Sequence, residues 1–202
     1  MSPISHQGHR KRMKERFAQE GLDHFGSLSQ VLEATVEELQ KVKGVGENAA
    51  VFLHLITEVG RYYLVNRVSQ CRILSTVEEC ADFLLPFFYG RRVETVFLLC
   101  LDAKCKVLCC KEVGQGSVNS TGISVRKIVE TALGANATTV VLAHNHPSGI
   151  AVPSNEDVQT TRRVAMALNA VEIQLADHIV VADGDYVSMV QSGYRFDTPL
   201  LI

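Results

Sequence analysis

Residues 142–157 read LAHNHPSGIAVPSNED, and the local structure of this segment follows from its residue order. The apolar, β-branched run before its first histidine, TTVVLA at 138–143, is too short for a helix and predicts a buried strand. A Pro-Ser-Gly turn follows the second histidine. Ser154 is a favourable N-cap, so we expect a helix from about residue 155 to residue 170. The stretch therefore predicts a strand, a turn and a helix in succession.

Three side chains in this stretch are candidate metal ligands. Residues i and i+2 of a strand end point to the same side, so His144 and His146 can present two imidazoles to one ion. Asp157 lies in the first turn of the predicted helix, from which its carboxylate can reach the same ion. Such a site binds zinc with a fourth position for water, whose pKa the metal lowers to about 7. The alternative is an ordinary polar loop, followed by a capping box formed by Ser154 and Asp157.

The rest of the chain predicts two domains. Helical spacing of apolar residues runs through 29–42 and 48–65, with the glycine-containing turn KGVGEN between them. From residue 71 onward, helical and strand-like segments alternate. They comprise a helix opened by the capping box STVE at 75–78, a hairpin of 93–102 with 106–113, a helix over 125–137 with Gly134 as its stop signal, and a closing hairpin around Asp183-Gly184. We predict a small all-α domain over 1–70 and an α/β domain over 71–202.

The composition indicates a globular protein. Of 202 residues, 47% are hydrophobic and 21% charged, with a formal net charge of −2. No run approaches the roughly 18 apolar residues that would span a bilayer, so we expect no membrane partner. The six cysteines form no CxxC motif, which favours reduced thiols and a cytoplasmic location.

The candidate ligands also carry a family resemblance. The pattern His144-x-His146-x7-Ser154-x-x-Asp157 resembles the JAMM (JAB1/MPN/Mov34) metalloprotease signature. The runs LAHNHPSG, PSNED, TRR, DHIVV and NST resemble the RadC family, and this likeness covers about residues 72–197. It implies a JAMM/MPN-like mixed β-sheet flanked by helices, of the cytidine-deaminase-like kind.

The resemblance further implies a catalytic site. One Zn²⁺ ion would be held by His144, His146 and Asp157, with Ser154 beside the bound water. The family also has an upstream glutamate as general acid/base at the start of the first core strand, and Glu94 is the matching position. Ser154 would polarise the scissile carbonyl or stabilise its oxyanion.

Two further segments near the signature are of interest. Asp177 and His178 precede a strand and are candidates for holding a ligating imidazole in place, with a purely structural role equally open. In family terms the polar run GQGSVNSTG at 114–122 lies beside the site. Its residues Ser117, Asn119 and Ser120 are therefore candidates for binding the substrate backbone.

The amino-terminal region resembles a helix-hairpin-helix at VKGVGENAAVFL, residues 42–53. Such a Gly-x-Gly turn presents backbone amides to a phosphate oxygen without reading bases. Lys41 and Lys43 favour this interpretation, Glu47 opposes it, and an ordinary pair of packed helices is the alternative. The basic run HRKRMKER at 9–16 is either a phosphate contact or a solvated helix face. Compared with RadC relatives, the region is shortened where Phe25 runs directly into Gly26.

These observations lead to one main functional hypothesis and two alternatives. The main hypothesis is a zinc-dependent hydrolase of the JAMM type that cleaves peptide or isopeptide bonds, with a protein or peptide as substrate. The first alternative is a RadC-type DNA-repair protein that binds DNA non-specifically through its helix-hairpin-helix. The second is a metal-dependent nuclease, which the single predicted ion disfavours because phosphodiester cleavage often uses paired ions. The substrate and the oligomeric state do not follow from the sequence.

Overall fold

The computed structural model describes residues 19–68, 72–116 and 124–196. Its helices are α1 (Leu28–Glu33), α2 (Val36–Leu39), α3 (Glu47–Val68), α4 (Val77–Phe88), α5 (Val125–Gly134) and α6 (Asn155–Asn169), and residues 19–25 are also helical. Its strands are β1 (Thr95–Leu101), β2 (Val107–Gln115), β3 (Thr139–Asn145), β4 (Gln174–Ala182) and β5 (Asp185–Ser188). Within these ranges, no helix combines the length and the apolar character needed to cross a bilayer.

The chain divides into two compact units, and the division falls between Tyr63 and Leu64, inside α3. The boundary predicted between residues 70 and 71 lies outside the described ranges and stays a prediction. The basic run at 9–16 also lies outside them.

The described part of the first unit, residues 19–63, is helical, but the segment 29–42 forms two short helices. Ala34 is extended, and Thr35 begins α2 as its N-cap. The Thr35 side chain accepts a hydrogen bond from the Glu38 backbone N–H, and the Glu38 carboxylate accepts one from the Thr35 N–H. This capping box starts a new helix where apolar spacing alone predicts continuity. The apolar residues still share one core, formed by Val31, Ala34, Leu39, Val42, Val45 and Ala50.

The second unit is built on a five-stranded sheet with the order β2-β1-β3-β4-β5. Both predicted hairpins are present, as antiparallel pairs β1–β2 and β4–β5. Strand β1 also pairs antiparallel with β3, whereas β3 and β4 are parallel. Parallel neighbours need a crossover connection, and α6 supplies it. The predicted mixed β-sheet flanked by helices is thus confirmed.

Helices cover both faces of this sheet. Strand β1 is buried along its whole length, and its side chains alternate between two cores. On one face, Val96, Leu98 and Cys100 pack with residues of α5 and α6. On the other, Phe97, Leu99 and Leu101 pack with residues of α4. The even-numbered residues of β3 therefore point toward α6, which sets the direction of His144.

Two helix ends differ in detail from the prediction. The capping box of α4 is formed by Thr76 and Glu79, one residue later than STVE implied, because the Glu79 carboxylate accepts the N–H groups of both Ser75 and Thr76. Helix α5 includes Gly134 as its last residue, and the left-handed conformation that follows belongs to Asn136, with a φ of 52°. Asparagine tolerates this conformation better than most residues, so glycine is not needed there.

Candidate metal centre

The carboxyl end of β3 delivers the two histidines. His144 pairs with Val96 of β1 on one side and with Val180 of β4 on the other, and its side chain is fully buried. His146 lies just beyond the strand, where its N–H donates to the carbonyl of Val181 at 2.8 Å. Its side chain is 18% exposed. One imidazole is therefore fixed inside the core, and the other borders solvent.

The following turn and helix bring in the carboxylate. The Gly149 N–H donates to the His146 carbonyl at 3.2 Å, and Gly149 has a φ of +80°. Ser154 is the N-cap of α6, as predicted, and its side chain accepts from the Asp157 N–H at 3.1 Å. The Asp157 carboxylate in turn accepts the Ser154 N–H and hydroxyl, each at 2.7 Å. The capping box and the candidate ligand are the same carboxylate, so the two interpretations coexist.

The structure brings His144, His146 and Asp157 together. Their ligand atoms all lie within 4.8 Å of one another. The Nε2 atoms of the two histidines are 2.8 Å apart. Asp157 Oδ1 lies 3.3 Å from His144 Nε2, and Asp157 Oδ2 lies 3.5 Å from His146 Nε2.

The hydrogen-bond partners show that this cluster suits a cation. His146 Nδ1 lies 3.0 Å from the carbonyl oxygen of Ile150, which can only accept, so Nδ1 carries the proton. In neutral His146, Nε2 therefore presents a lone pair to the cluster. The neighbouring carboxylate of Asp157 presents only oxygens. Imidazole nitrogen and carboxylate oxygen are ligands that zinc accepts, and such a group of acceptors fits a bound metal ion.

The electrostatics of the cluster agree with this description. Burial by itself raises the pKa of Asp157, but positive charge and hydrogen-bond donation from the His144 side, together with hydrogen bonds from Ser154, outweigh burial and lower the pKa below the usual range. The carboxylate is therefore charged at neutral pH. A metal ion held by neutral histidines would supply positive charge at the same place. Complete burial lowers the pKa of His178, which contacts His144, well below that of an ordinary histidine.

Glu94 lies at the same end of the sheet. It is half-buried and immediately precedes β1. The next residue, Thr95, donates its N–H to Asn145 Oδ1 at 2.8 Å, and Asn145 stands between the two histidines in sequence. Val96 then pairs with His144. Glu94 is not part of the three-residue ligand cluster, and its catalytic role stays a prediction.

Other predicted residues have mixed outcomes. His178 does hold a candidate ligand, because its Nε2 lies 2.7 Å from His144 Nδ1. Asp177 points elsewhere and accepts hydrogen bonds from the hydroxyl of Ser188 and the N–H of Val190. The predicted substrate contacts lie outside the described residues; they are Ser117, Asn119 and Ser120.

Thr161 is the residue near this site that the sequence interpretation missed. It is fully buried, and its hydroxyl contacts both the Asp157 carbonyl and His178 Nδ1. Its position one helical turn after Asp157 was the available signal, since residues i and i+4 share a helix face.

Comparison with known proteins gives consistent matches. A family model described as RadC-like JAB domain matches residues 74–194. A UPF0758 protein of Methylibium petroleiphilum is 35% identical over 178 residues, which cover 88% of this chain and 80% of that protein. A UPF0758 protein of Cellvibrio japonicus is 34% identical over 177 residues, covering 88% and 79%. One from Vibrio campbellii is 34% identical over 173 residues, covering 86% and 77%.

Proposed function

Since the chain belongs to the family of RadC-like JAB domain proteins, we propose that it is a zinc-dependent hydrolase of the JAMM type that cleaves peptide or isopeptide bonds. The observation that carries this proposal is the convergence of two imidazole Nε2 atoms on one buried carboxylate. A group of acceptors at such distances repels itself unless a cation neutralises it. A site kept only for structure has no need of such a group of converging acceptors.

The ligand set favours zinc among divalent ions. His144, His146 and Asp157 would hold the ion, and three protein ligands are the number found in catalytic zinc sites, which keep a fourth position open. When bound, zinc acts as a Lewis acid and makes hydroxide available from water at neutral pH. The partial exposure of His146 gives a substrate access to this side of the cluster.

Glu94 is the proposed general acid/base. Its place before β1 puts it at the sheet end that carries the histidines, since Val96 is already paired with His144. Its carboxylate would take a proton from the attacking water and deliver it to the leaving amine nitrogen. A carboxylate at this end of the sheet that is not itself a metal ligand can act first as the base and then as the acid.

Ser154 is proposed to stabilise the substrate carbonyl oxygen as negative charge develops on it. Its hydroxyl donates to Asp157 Oδ2, and its oxygen accepts from the Asp157 N–H. The backbone N–H of Ser154 also donates to Asp157 Oδ2, so the carboxylate keeps one donor when the hydroxyl turns to substrate. The cap would therefore survive this change of partner.

A test of the function combines metal analysis with one isosteric variant. We expect purified protein to contain one zinc per chain by mass spectrometry of its metals. Probes are a pool of fluorescence-quenched peptides and a lysine-isopeptide-linked peptide pair, with DNA of mixed sequence as the nuclease probe. Glu94→Gln should keep the zinc and lose hydrolysis by roughly 10²–10⁴-fold, the usual contribution of a general acid/base.

The control removes a carboxylate at the surface. Glu130→Gln makes the same chemical change on the exposed side of α5, where Glu130 pairs with Arg126, and should leave zinc and activity unchanged. Full activity of Glu94→Gln on a cleaved probe would exclude the proposed role of Glu94. Cleavage of DNA without cleavage of either peptide probe would support the nuclease instead.

A second candidate function, non-specific DNA binding, has support in the first unit. Gly44 has a φ of +90°, and both Gly44 and Gly46 face open space, so the sugar-phosphate backbone of DNA can approach them closely. Lys41 and Lys43 are exposed at this turn, just before the amino terminus of α3. Exposed amines beside a glycine turn and a helix start suit phosphate contacts.

A further inference from the structure

A chain of buried hydrogen bonds leads from the candidate metal centre into the core. His144 Nδ1 lies 2.7 Å from His178 Nε2. On the other side of that ring, His178 Nδ1 lies 2.5 Å from Thr161 Oγ1. Thr161 Oγ1 in turn lies 2.5 Å from the backbone carbonyl oxygen of Asp157. All three side chains of this His144–His178–Thr161 chain are fully buried, so solvent does not reach its bonds.

The last member of the chain sets the direction of every bond in it. The Asp157 carbonyl can only accept, so the single hydroxyl proton of Thr161 is donated to it. The Thr161 oxygen then accepts from His178 Nδ1–H. A neutral imidazole has one N–H, so His178 Nε2 is an acceptor and takes the proton of His144 Nδ1.

The direction of the chain determines what His144 offers to the cluster. With its proton on Nδ1, neutral His144 presents an unprotonated Nε2 toward His146 and Asp157. His146 reaches the same tautomer independently, through the Ile150 carbonyl. The two tautomers are fixed by different partners. Buried hydrogen bonds to His178 and Thr161 fix that of His144, and a backbone carbonyl in the loop after β3 fixes that of His146.

We propose that Thr161 is a positioning residue, which fixes the metal-binding tautomer of His144 through His178. This inference deepens the proposed function and rests on it only for the identity of the bound ion. Asp157 thus serves the site twice, since its carboxylate faces the histidines while its carbonyl orients the proton of His144. Hydrogen-bond partners of this kind typically change metal affinity by about 10–100-fold.

Removal of the Thr161 hydroxyl should allow the hydrogen bonds between His178 and His144 to reverse direction. In Thr161→Val, the shape of the side chain is retained but nothing accepts from His178 Nδ1–H. His178 can then carry its proton on Nε2 and donate it to His144, which moves the His144 proton to Nε2 and toward the metal ligands. His144 must then return its proton to Nδ1 before a metal ion can bind, so the affinity of the site for zinc falls.

The experiment compares Thr161→Val with Thr161→Ser, which keeps the hydroxyl. Zinc affinity is measured by competition with a chromophoric chelator, and it should fall about 10–100-fold in the valine variant. The serine variant should bind within a few-fold of the unchanged protein. Imidazole ¹⁵N shifts, assigned with a His144→Gln variant, should show His144 protonated at Nδ1 in the metal-free and zinc-bound protein. Circular dichroism and thermal unfolding report whether each variant is folded.

Three results would overturn the proposal. They are an Nε2–H tautomer of His144 in the unchanged protein, unaltered zinc affinity in folded Thr161→Val, and equal losses in the valine and serine variants. The ¹⁵N measurement on the unchanged protein decides the matter even if Thr161→Val does not fold. A protein that binds zinc with the expected tautomer but cleaves no peptide would contradict the proposed function and leave the role of Thr161 intact.

Discussion

Ser154 and Asp157 hold each other in both directions: the serine hydroxyl donates to Asp157 Oδ2 at 2.7 Å and accepts from the Asp157 N–H at 3.1 Å. The remaining carboxylate oxygen, Oδ1, faces His144 Nε2 at 3.3 Å. The helix start therefore fixes the position of a candidate ligand. The Asp157 side chain both completes the capping box and faces two imidazoles, so it has two separable contributions, one to folding and one to metal binding.

Two substitutions of Asp157 should separate these contributions. Asp157→Asn keeps an oxygen that accepts from Ser154 but loses the charge, so zinc affinity should fall by more than the roughly 10–100-fold cost of losing an outer hydrogen-bond partner. The free energy of unfolding of the metal-free protein should change little. Asp157→Ala removes the acceptor of two hydrogen bonds from Ser154 and should lower the free energy of unfolding by about 1–2 kcal/mol. Urea unfolding of chelator-treated protein measures this, and equal stability of the two variants would contradict the dual role.

Gly149 should prove necessary for the position of His146. Its φ of +80° is strained for other residues, and a Cβ there would stand 2.7 Å from Asp183 Oδ2. Gly149→Ala should therefore destabilise the protein by about 1–2 kcal/mol and weaken zinc binding, as the turn and Asp183 readjust. Gly193→Ala is the matched control, because Gly193 has a φ of +92° with open space around it. If both variants bind zinc equally well, the turn at Gly149 does not position the ligand.

The parts of the site that the sequence predicted are those governed by local rules. His144 and His146 share a direction because they are two residues apart at a strand end, and Ser154 starts a helix because its oxygen caps it. Asp157 follows from the same helix start. None of these positions depends on a distant part of the chain.

The contacts that lie beyond these local rules depend on how separate elements meet. His178 reaches His144 because β4 lies parallel to β3 in one register. Thr161, which the sequence interpretation missed, reaches His178 through the crossover helix α6. Registers and crossings are set by the packing of whole faces, which spacing along one segment does not encode. For Glu94, likewise, only its place before β1 followed from the sequence.

The buried cysteines of the second unit should be unreactive in the native protein. Burial raises the pKa of Cys80 to about 11 and that of Cys100 to about 12. With these pKa values both thiols remain protonated at pH 8. Because the thiolate is the nucleophile, their alkylation should accelerate only as the pH approaches these values or as the chain unfolds. Iodoacetamide labelling followed by peptide mass spectrometry measures this. Cys105, which is partly exposed between β1 and β2, should label before Cys80 and Cys100, and rapid labelling of Cys100 at pH 8 would contradict its burial.

DNA binding by the first unit can be tested with two double lysine variants that change the net charge of the protein equally. If Lys41 and Lys43 contact phosphates, each releases about one counterion on binding. Changing both to alanine should weaken binding to DNA of mixed sequence and reduce the slope of log K against log salt by about 2. The pair Lys104 and Lys106 offers a matched control, because both are exposed at the β1–β2 turn of the other unit and their loss changes the net charge equally. Fluorescence anisotropy at several salt concentrations distinguishes the cases. An equal loss in both double variants would indicate general charge attraction, and the absence of binding at low salt would remove the helix-hairpin-helix hypothesis.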